Sequence, residues 1–147
     1  MLRDDMLYRA VKFRHVLDNM TGGHHTSNYI FLGDLNTVGM KYPFDLDINY
    51  EKELEKWDKR ASKYYGMRRL SKTHNITYRA GSGSSLQGNL DHVYAAKHLN
   101  FKQFKNDQNQ DVDIKVMGWV DFATLADQDT WIADYSDHSL LYFEVLK

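Results

Sequence analysis

Three short acidic motifs lie at the ends of apolar runs in this chain: Gly33-Asp34-Leu35-Asn36, Leu90-Asp91-His92-Val93 and Ser136-Asp137-His138. A carboxylate can orient water or ligate a hard cation, an amide can donate to an anionic oxygen, and a protonated imidazole can stabilise negative charge. Together these types suit hydrolysis of an anionic ester, where catalysis is mostly positioning and charge neutralisation. Each motif alone is typical of a turn, because a strand-ending aspartate commonly bonds its own backbone.

The elements that would position these motifs follow from hydrophobic periodicity. Apolar residues recur at helical spacing in two segments, and short apolar runs that predict strands precede or contain each motif. Residues 42–49, around the single proline, and residues 81–85 predict irregular chain. The predicted helices are 4–20 and 50–63, with Leu54 and Trp57 of the second directed inward, and the predicted strands are 29–32, 76–78, 90–96, 114–120 and 139–145.

The composition is that of a globular protein with a sizeable core. Of 147 residues, 42% are apolar and 14% aromatic, and no repeat or linker interrupts them. We therefore expect a single layered α/β (α+β) domain over residues 1–147. The chain has no cysteine, which excludes disulfides and thiolate zinc sites.

Charge and hydropathy restrict the partners. The formal net charge of −1 provides no global basic field to attract nucleic acid. We find no apolar run of membrane-spanning length and no apolar leader after the first methionine. The predicted compartment is therefore the cytoplasm.

In their order and spacing, the three motifs resemble those of the endonuclease/exonuclease/phosphatase superfamily, which has the DNase-I-like fold. The resemblance extends from the helix before the first motif to the closing strand, and Gly118-Trp119 is similar to the family's bacterial members. It implies one half of a β-sandwich, with a mostly antiparallel or mixed sheet and helices on one face. Asp34, Asp91 and the Asp137-His138 pair would lie near one end of that sheet.

The resemblance also implies a role for each motif residue. Asp34 would orient or deprotonate water, Asn36 would donate to a phosphoryl oxygen, and Asp91 would hold one ring nitrogen of His138. His138 would then stabilise charge as an imidazolium, and Asp137 would ligate Mg²⁺ or Mn²⁺. The substrate would be a phosphoester, in nucleic acid or in a phosphorylated small molecule or lipid.

The chain departs from the family pattern at its start. Family members carry an N-terminal half with an asparagine-bearing first strand and a glutamate that is the principal metal ligand, and neither precedes Asp4. We therefore expect the C-terminal half of such a domain, with weak metal binding and little or no hydrolysis by the chain alone. An apolar sheet face would be left for a homodimer or an N-terminal half to cover.

Two other functions compete with this hypothesis. One is a catalytically silent remnant that acts as a dimeric or partner-binding module. The weaker one is a small nucleic-acid-binding module, against which the net charge and the lack of a basic stripe count.

Several histidines and cations lie outside the motifs, and their sequence context predicts structural rather than catalytic roles. Adjacent His24 and His25 predict a solvated loop, and His92 should point away from Asp91 across the strand. Several cations could contact phosphate, although a solvated charged face is the favoured interpretation; these are Lys41, Arg68, Arg69, Lys72 and Arg79.

Overall fold

A computed structural model describes residues 2–35, 50–81 and 86–147. Within these ranges the chain forms three α-helices, one 3-10 helix (Trp119–Asp121) and eleven short strands. The helices are α1 (Leu2–Thr21), α2 (Tyr50–Tyr65) and α3 (Leu125–Asp134), and the strands are β1 (Ile30–Asp34), β2 (Met67–Arg69), β3 (Tyr78–Arg79), β4 (Gln87–Gly88), β5 (Asp91–Ala96), β6 (Asn100–Phe101), β7 (Phe104–Lys105), β8 (Asp111–Val112), β9 (Lys115–Met117), β10 (Leu140–Tyr142) and β11 (Val145–Leu146).

The chain divides into two compact units. The first unit is Met1–Arg69 with His92–Asn100, and the second unit is Leu70–Asp91 with Phe101–Lys147. The single domain expected over residues 1–147 stays a prediction.

The first unit is built on two helices that the periodicity predicted. Leu7 and Val11 of α1 pack with Trp57 and Ala61 of α2 in a buried cluster, because each pair recurs at helical spacing. The inward stripe of α1 continues into the buried polar side chains Arg14 and Asp18, while Met6 and Met20 are exposed.

A three-stranded sheet completes the first unit, in the order β1-β5-β2. β2 and β5 are antiparallel, with Met67 opposite Ala96. Residues 92–96 of β5 are buried, and the Tyr94 ring stacks on Phe31 with centroids 5.1 Å apart. The run of β-branched, aromatic and small residues thus forms a strand, as predicted for 90–96, and the structure places it at the centre of its sheet.

The second unit consists of short antiparallel pairs: β3 with β4, β7 with β8, and β9 with β10. The strand predicted over 114–120 ends at Met117, and the 3-10 helix follows Gly118, whose φ is +110°. A Cβ at Gly118 would approach the Trp131 ring to 2.8 Å, so glycine permits close packing against α3.

α3 was not predicted. Its periodicity is weak because none of its residues is fully buried. Its start signal is the Thr124 hydroxyl, which accepts a hydrogen bond from the Asp127 amide as an N-cap.

The mixed α/β class predicted from the sequence is therefore confirmed at that level. In place of one sheet, the described residues form five small sheets, one three-stranded and four two-stranded. β10, which follows the third motif, pairs with β9 and not with the sheet that contains β1 and β5. The DNase-I-like half-sandwich stays a prediction. No helix in the described ranges is long and apolar enough to cross a bilayer.

Candidate Asp–His site in the second unit

Two predicted site residues meet in the second unit. His138 Nδ1 lies 2.8 Å from Asp91 Oδ2, across 47 residues of sequence. The Asp91 side chain is 14% exposed and that of His138 is 31% exposed. The contact expected between them is confirmed, and the ring is accessible from outside.

Polar contacts hold the Asp91 backbone on both sides. The buried Thr77 hydroxyl accepts from the amides of Leu90 and Asp91, at 3.2 and 3.0 Å. The buried Lys72 ammonium donates to the Asp91 carbonyl at 2.8 Å and to Asn89 Oδ1 at 2.5 Å. These contacts restrict the orientation of the carboxylate because its peptide cannot rotate without breaking them.

The same short segment, residues 77–79, also holds the segment that contains His138, just before β10. The Ser139 amide donates to the Thr77 carbonyl at 2.7 Å, and the Arg79 amide donates to the Asp137 carbonyl at 3.0 Å. Tyr78 forms an isolated antiparallel bridge with His138, and their ring centroids are 5.2 Å apart. One segment therefore sets the positions of both partners.

Thr77 and Lys72 were missed as positioning residues by reasoning from the sequence. Thr77 lies in a strand predicted over 76–78 but belongs to no acidic motif. Lys72 was interpreted as part of a solvated face and is buried instead. No local pattern predicts either contact, because each depends on a strand from elsewhere in the chain.

Two more of the candidate cations are also paired. Arg79, only 4% exposed, forms an ion pair of 2.7 Å with Asp129. Arg69 makes a bidentate contact with Asp58, whose carboxylate also accepts from the Tyr94 hydroxyl. The pKa of Tyr94 is raised, first by burial and then by the Asp58 charge. These pairs are structural, so neither arginine presents a bare cation to a ligand.

The other predicted site residues are Asp34, Asp137 and Asn36. Asp34 is the exposed last residue of β1 in the first unit. Asp137 is exposed, and its backbone carbonyl bonds the Arg79 amide. Asn36 lies outside the described residues. The roles assigned to these three stay predictions.

The described residues do not form a resident metal centre. Over 2–35, 50–81 and 86–147, no group of three or more histidine or acidic side chains could hold a cation. The Asp91 carboxylate is engaged by His138, and the Asp137 side chain is exposed. A divalent cation needs several oxygen ligands, so Mg²⁺ stays a prediction.

Three other histidines, His15, His24 and His25, form a separate group in the first unit. The rings of His24 and His25 have centroids 4.0 Å apart, and His15 lies 6.0 Å from His25. His24 is exposed, as predicted, whereas His25 is half-buried. Burial and the neighbouring His24 charge lower the pKa of His25. His92 is buried, and the prediction that it points away from Asp91 stays a prediction.

The Asp91–His138 pair can support proton transfer or charge stabilisation. A carboxylate on Nδ1 fixes the ring orientation. An accessible, oriented imidazole is suited to act on an anionic ligand.

Comparison of the chain with protein-family models, with curated proteins and with solved structures found no significant match.

Proposed function

We propose that this chain carries part of a phosphoester hydrolase site and corresponds to the C-terminal half of a divalent-metal-dependent domain. The observation that supports this most is the 2.8 Å contact between His138 and Asp91. Each residue comes from a different motif, and both motifs occur in the order of the superfamily that they resemble. The contact is the one that the resemblance implies for a phosphate-stabilising histidine.

In the proposed mechanism, the positively charged His138 ring binds a phosphoryl oxygen and stabilises the negative charge that grows on it. Asp91 keeps the ring oriented through Nδ1. Asp34 would orient the attacking water, and Asn36 would donate to a second phosphoryl oxygen. Asp137 would be one ligand for Mg²⁺, which, when bound, neutralises phosphate charge.

A second histidine–aspartate pair in the same unit provides an internal control. His74 Nε2 lies 3.6 Å from Asp107 Oδ2, with side chains 37% and 85% exposed. That distance exceeds a hydrogen bond, so this is a loose surface pair that does not orient the ring. The proposal requires the two histidines to behave differently toward phosphate.

The test is an NMR titration of the histidine ring nitrogens with inorganic phosphate and with dimethyl phosphate, with and without Mg²⁺. We expect saturable shifts at His138, weakened by Asp91→Asn and abolished by His138→Gln. Signals of His74 should remain unchanged, and His74→Gln should bind as the unmodified chain does. Equal responses at both histidines, or none at His138, would exclude the proposed site.

Hydrolysis is a separate measurement. We expect the chain alone to cleave bis(4-nitrophenyl) phosphate in Mg²⁺ very slowly or not at all. Any turnover should disappear in His138→Gln and persist in His74→Gln. Turnover that survives His138→Gln would contradict the mechanism.

An apolar stripe on α1 favours a second candidate, the partner-binding or dimeric module. Met6, Phe13, Val16 and Met20 are between 46% and 78% exposed, and the last three recur at helical spacing. Sedimentation equilibrium would test this. A dimer that dissociates in Phe13→Glu, with no phosphate response at His138, would favour the binding module over the hydrolase.

A further inference from the structure

A row of lysines follows one side of α2 in the first unit. Lys52, Lys56, Lys59 and Lys63 recur at intervals of four, three and four residues, which places them on one helix face over about 16 Å. All four are exposed. We call this row the lysine stripe.

The stripe borders a shallow depression of about 700 Å³. Its described lining contains five cations and one carboxylate, Glu55. The lining residues are Lys52, Glu55, Lys56, Lys59, Arg60, Lys63, Tyr64 and Tyr65. The local charge is therefore strongly positive although the whole chain carries −1.

The Asp58 carboxylate of α2 does not cancel this charge. Asp58 is on the opposite side of the helix, where its carboxylate is paired with Arg69. Within the described ranges, no ion pair links Lys56, Lys59 or Lys63 to a carboxylate. The lack of a basic stripe, a prediction from the sequence, counted against nucleic-acid binding. The structure corrects this prediction, because the four exposed lysines of α2 lie on one face of the helix.

An aromatic side chain lies at the end of the stripe. Tyr64 is 53% exposed, and Lys63 Nζ lies 5.1 Å from its ring centroid. Positively charged grooves that follow a phosphate backbone, with exposed aromatics on which bases stack, are characteristic of single-stranded nucleic-acid sites. In a duplex the bases are already stacked, so an exposed ring would gain little.

We infer that the lysine stripe and Tyr64 form a binding surface for single-stranded nucleic acid. Lys56, Lys59 and Lys63 contact successive phosphates, and Tyr64 stacks on one base. This surface belongs to the first unit and does not depend on the hydrolase proposal. It would persist in a chain with no phosphoesterase activity.

The test is fluorescence anisotropy with a labelled oligothymidylate over a range of salt concentrations. The variant Lys56→Gln/Lys59→Gln/Lys63→Gln should bind at least about tenfold more weakly, and its salt slope should fall by about 2, because each lost phosphate contact removes about 0.7. The matched control is Lys102→Gln/Lys105→Gln/Lys115→Gln, which removes the same charge from exposed positions of the second unit. It should bind within about twofold of the unmodified chain.

Tyr64→Leu should weaken binding by about fivefold or more while leaving the salt slope unchanged, since stacking releases no counterions. Circular dichroism of each variant checks that the helices remain. The inference is overturned if the unmodified chain does not bind, or if the control triple variant loses as much affinity as the stripe variant. It is also overturned if a duplex binds as tightly, or if phosphatidylserine vesicles bind and the oligonucleotide does not.

Discussion

Two buried or half-buried aspartates, Asp18 in the first unit and Asp91 in the second, are used in different ways. Asp18 accepts from three successive amides, those of His25, Thr26 and Ser27, at 3.0, 3.2 and 2.9 Å. Asp91 accepts from a histidine ring that remains accessible. A carboxylate saturated by peptide N–H groups holds a loop, whereas one that faces a titratable ring can influence proton transfer.

The hydrogen bonds to Asp18 keep its carboxylate in the charged form. Burial alone would raise the pKa of Asp18, but the hydrogen bonds from Ser27 and His25 and the Arg14 charge outweigh it and lower the pKa to about 2. Buried Arg14 in turn donates to the carbonyls of Tyr65 and His25, at 2.7 and 2.6 Å, and to that of Gly66. Burial lowers the pKa of Arg14 and the Asp18 charge opposes this. Together the two side chains hold backbone groups at residues 25–27 and 65–66.

The largest expected effect is from Asp18→Ala. Three amides lose their acceptor and Arg14 loses a neighbouring charge, so the free energy of unfolding should fall by about 3–5 kcal/mol. Urea denaturation measures it. Asp107→Ala, which removes only the loose surface pair with His74, should change the same quantity by no more than about 0.5 kcal/mol. Similar losses in the two variants would remove the structural role assigned to Asp18.

Thr77→Val should have the next largest effect on the free energy of unfolding. It keeps the shape of a fully buried side chain but leaves the amides of Leu90 and Asp91 without an acceptor, at a cost of about 2–4 kcal/mol. The His138 ring signals should shift as well, because Asp91 is no longer held. Thr77→Ser retains the hydroxyl and should restore the ring signals, and a failure to do so would count against the hydroxyl as the positioning group.

Asp91→Asn should have a smaller effect on stability, about 1–2 kcal/mol, since the amide can still accept from His138 and only the charge is lost. The loss of phosphate-binding free energy at His138 should exceed the loss of free energy of unfolding. Asp107→Asn is the matched control, with no expected change in either. Unchanged phosphate binding in Asp91→Asn would show that the pair is structural, like the Asp18 network.

The last expected effect is a pH dependence of stability that is confined to acid pH. Because the folded-state pKa of Asp18 lies near 2, below its ordinary 3.8, its stabilising contribution is fully present above the ordinary value and is lost as pH falls toward 2. Asp18→Asn should therefore flatten the stability profile between about pH 5 and about pH 2 relative to the unmodified chain. Parallel profiles, measured by chemical denaturation at each pH, would contradict the assignment of this carboxylate.

Reasoning from the sequence succeeded where the information was local. α1 and α2 were predicted within two residues at each described end, because a helical repeat of apolar residues needs only near neighbours. α3 was missed since its side chains are not buried and its repeat is therefore weak. The Asp91–His138 contact was predicted only because motif order, a non-local signal, joined the two segments.

The sequence by itself determined the residue types available for chemistry, the two long helices and the strand β5. Only the tertiary structure decided which buried polar side chains form hydrogen bonds with which distant backbone groups. The Thr77 hydroxyl reaches Asp91, the buried Lys72 ammonium reaches the same peptide, and the Asp18 carboxylate closes a loop rather than joining a site. The physical reason is that a buried hydrogen bond depends on where distant backbone segments meet, and the periodicity of one segment carries no information about its partner.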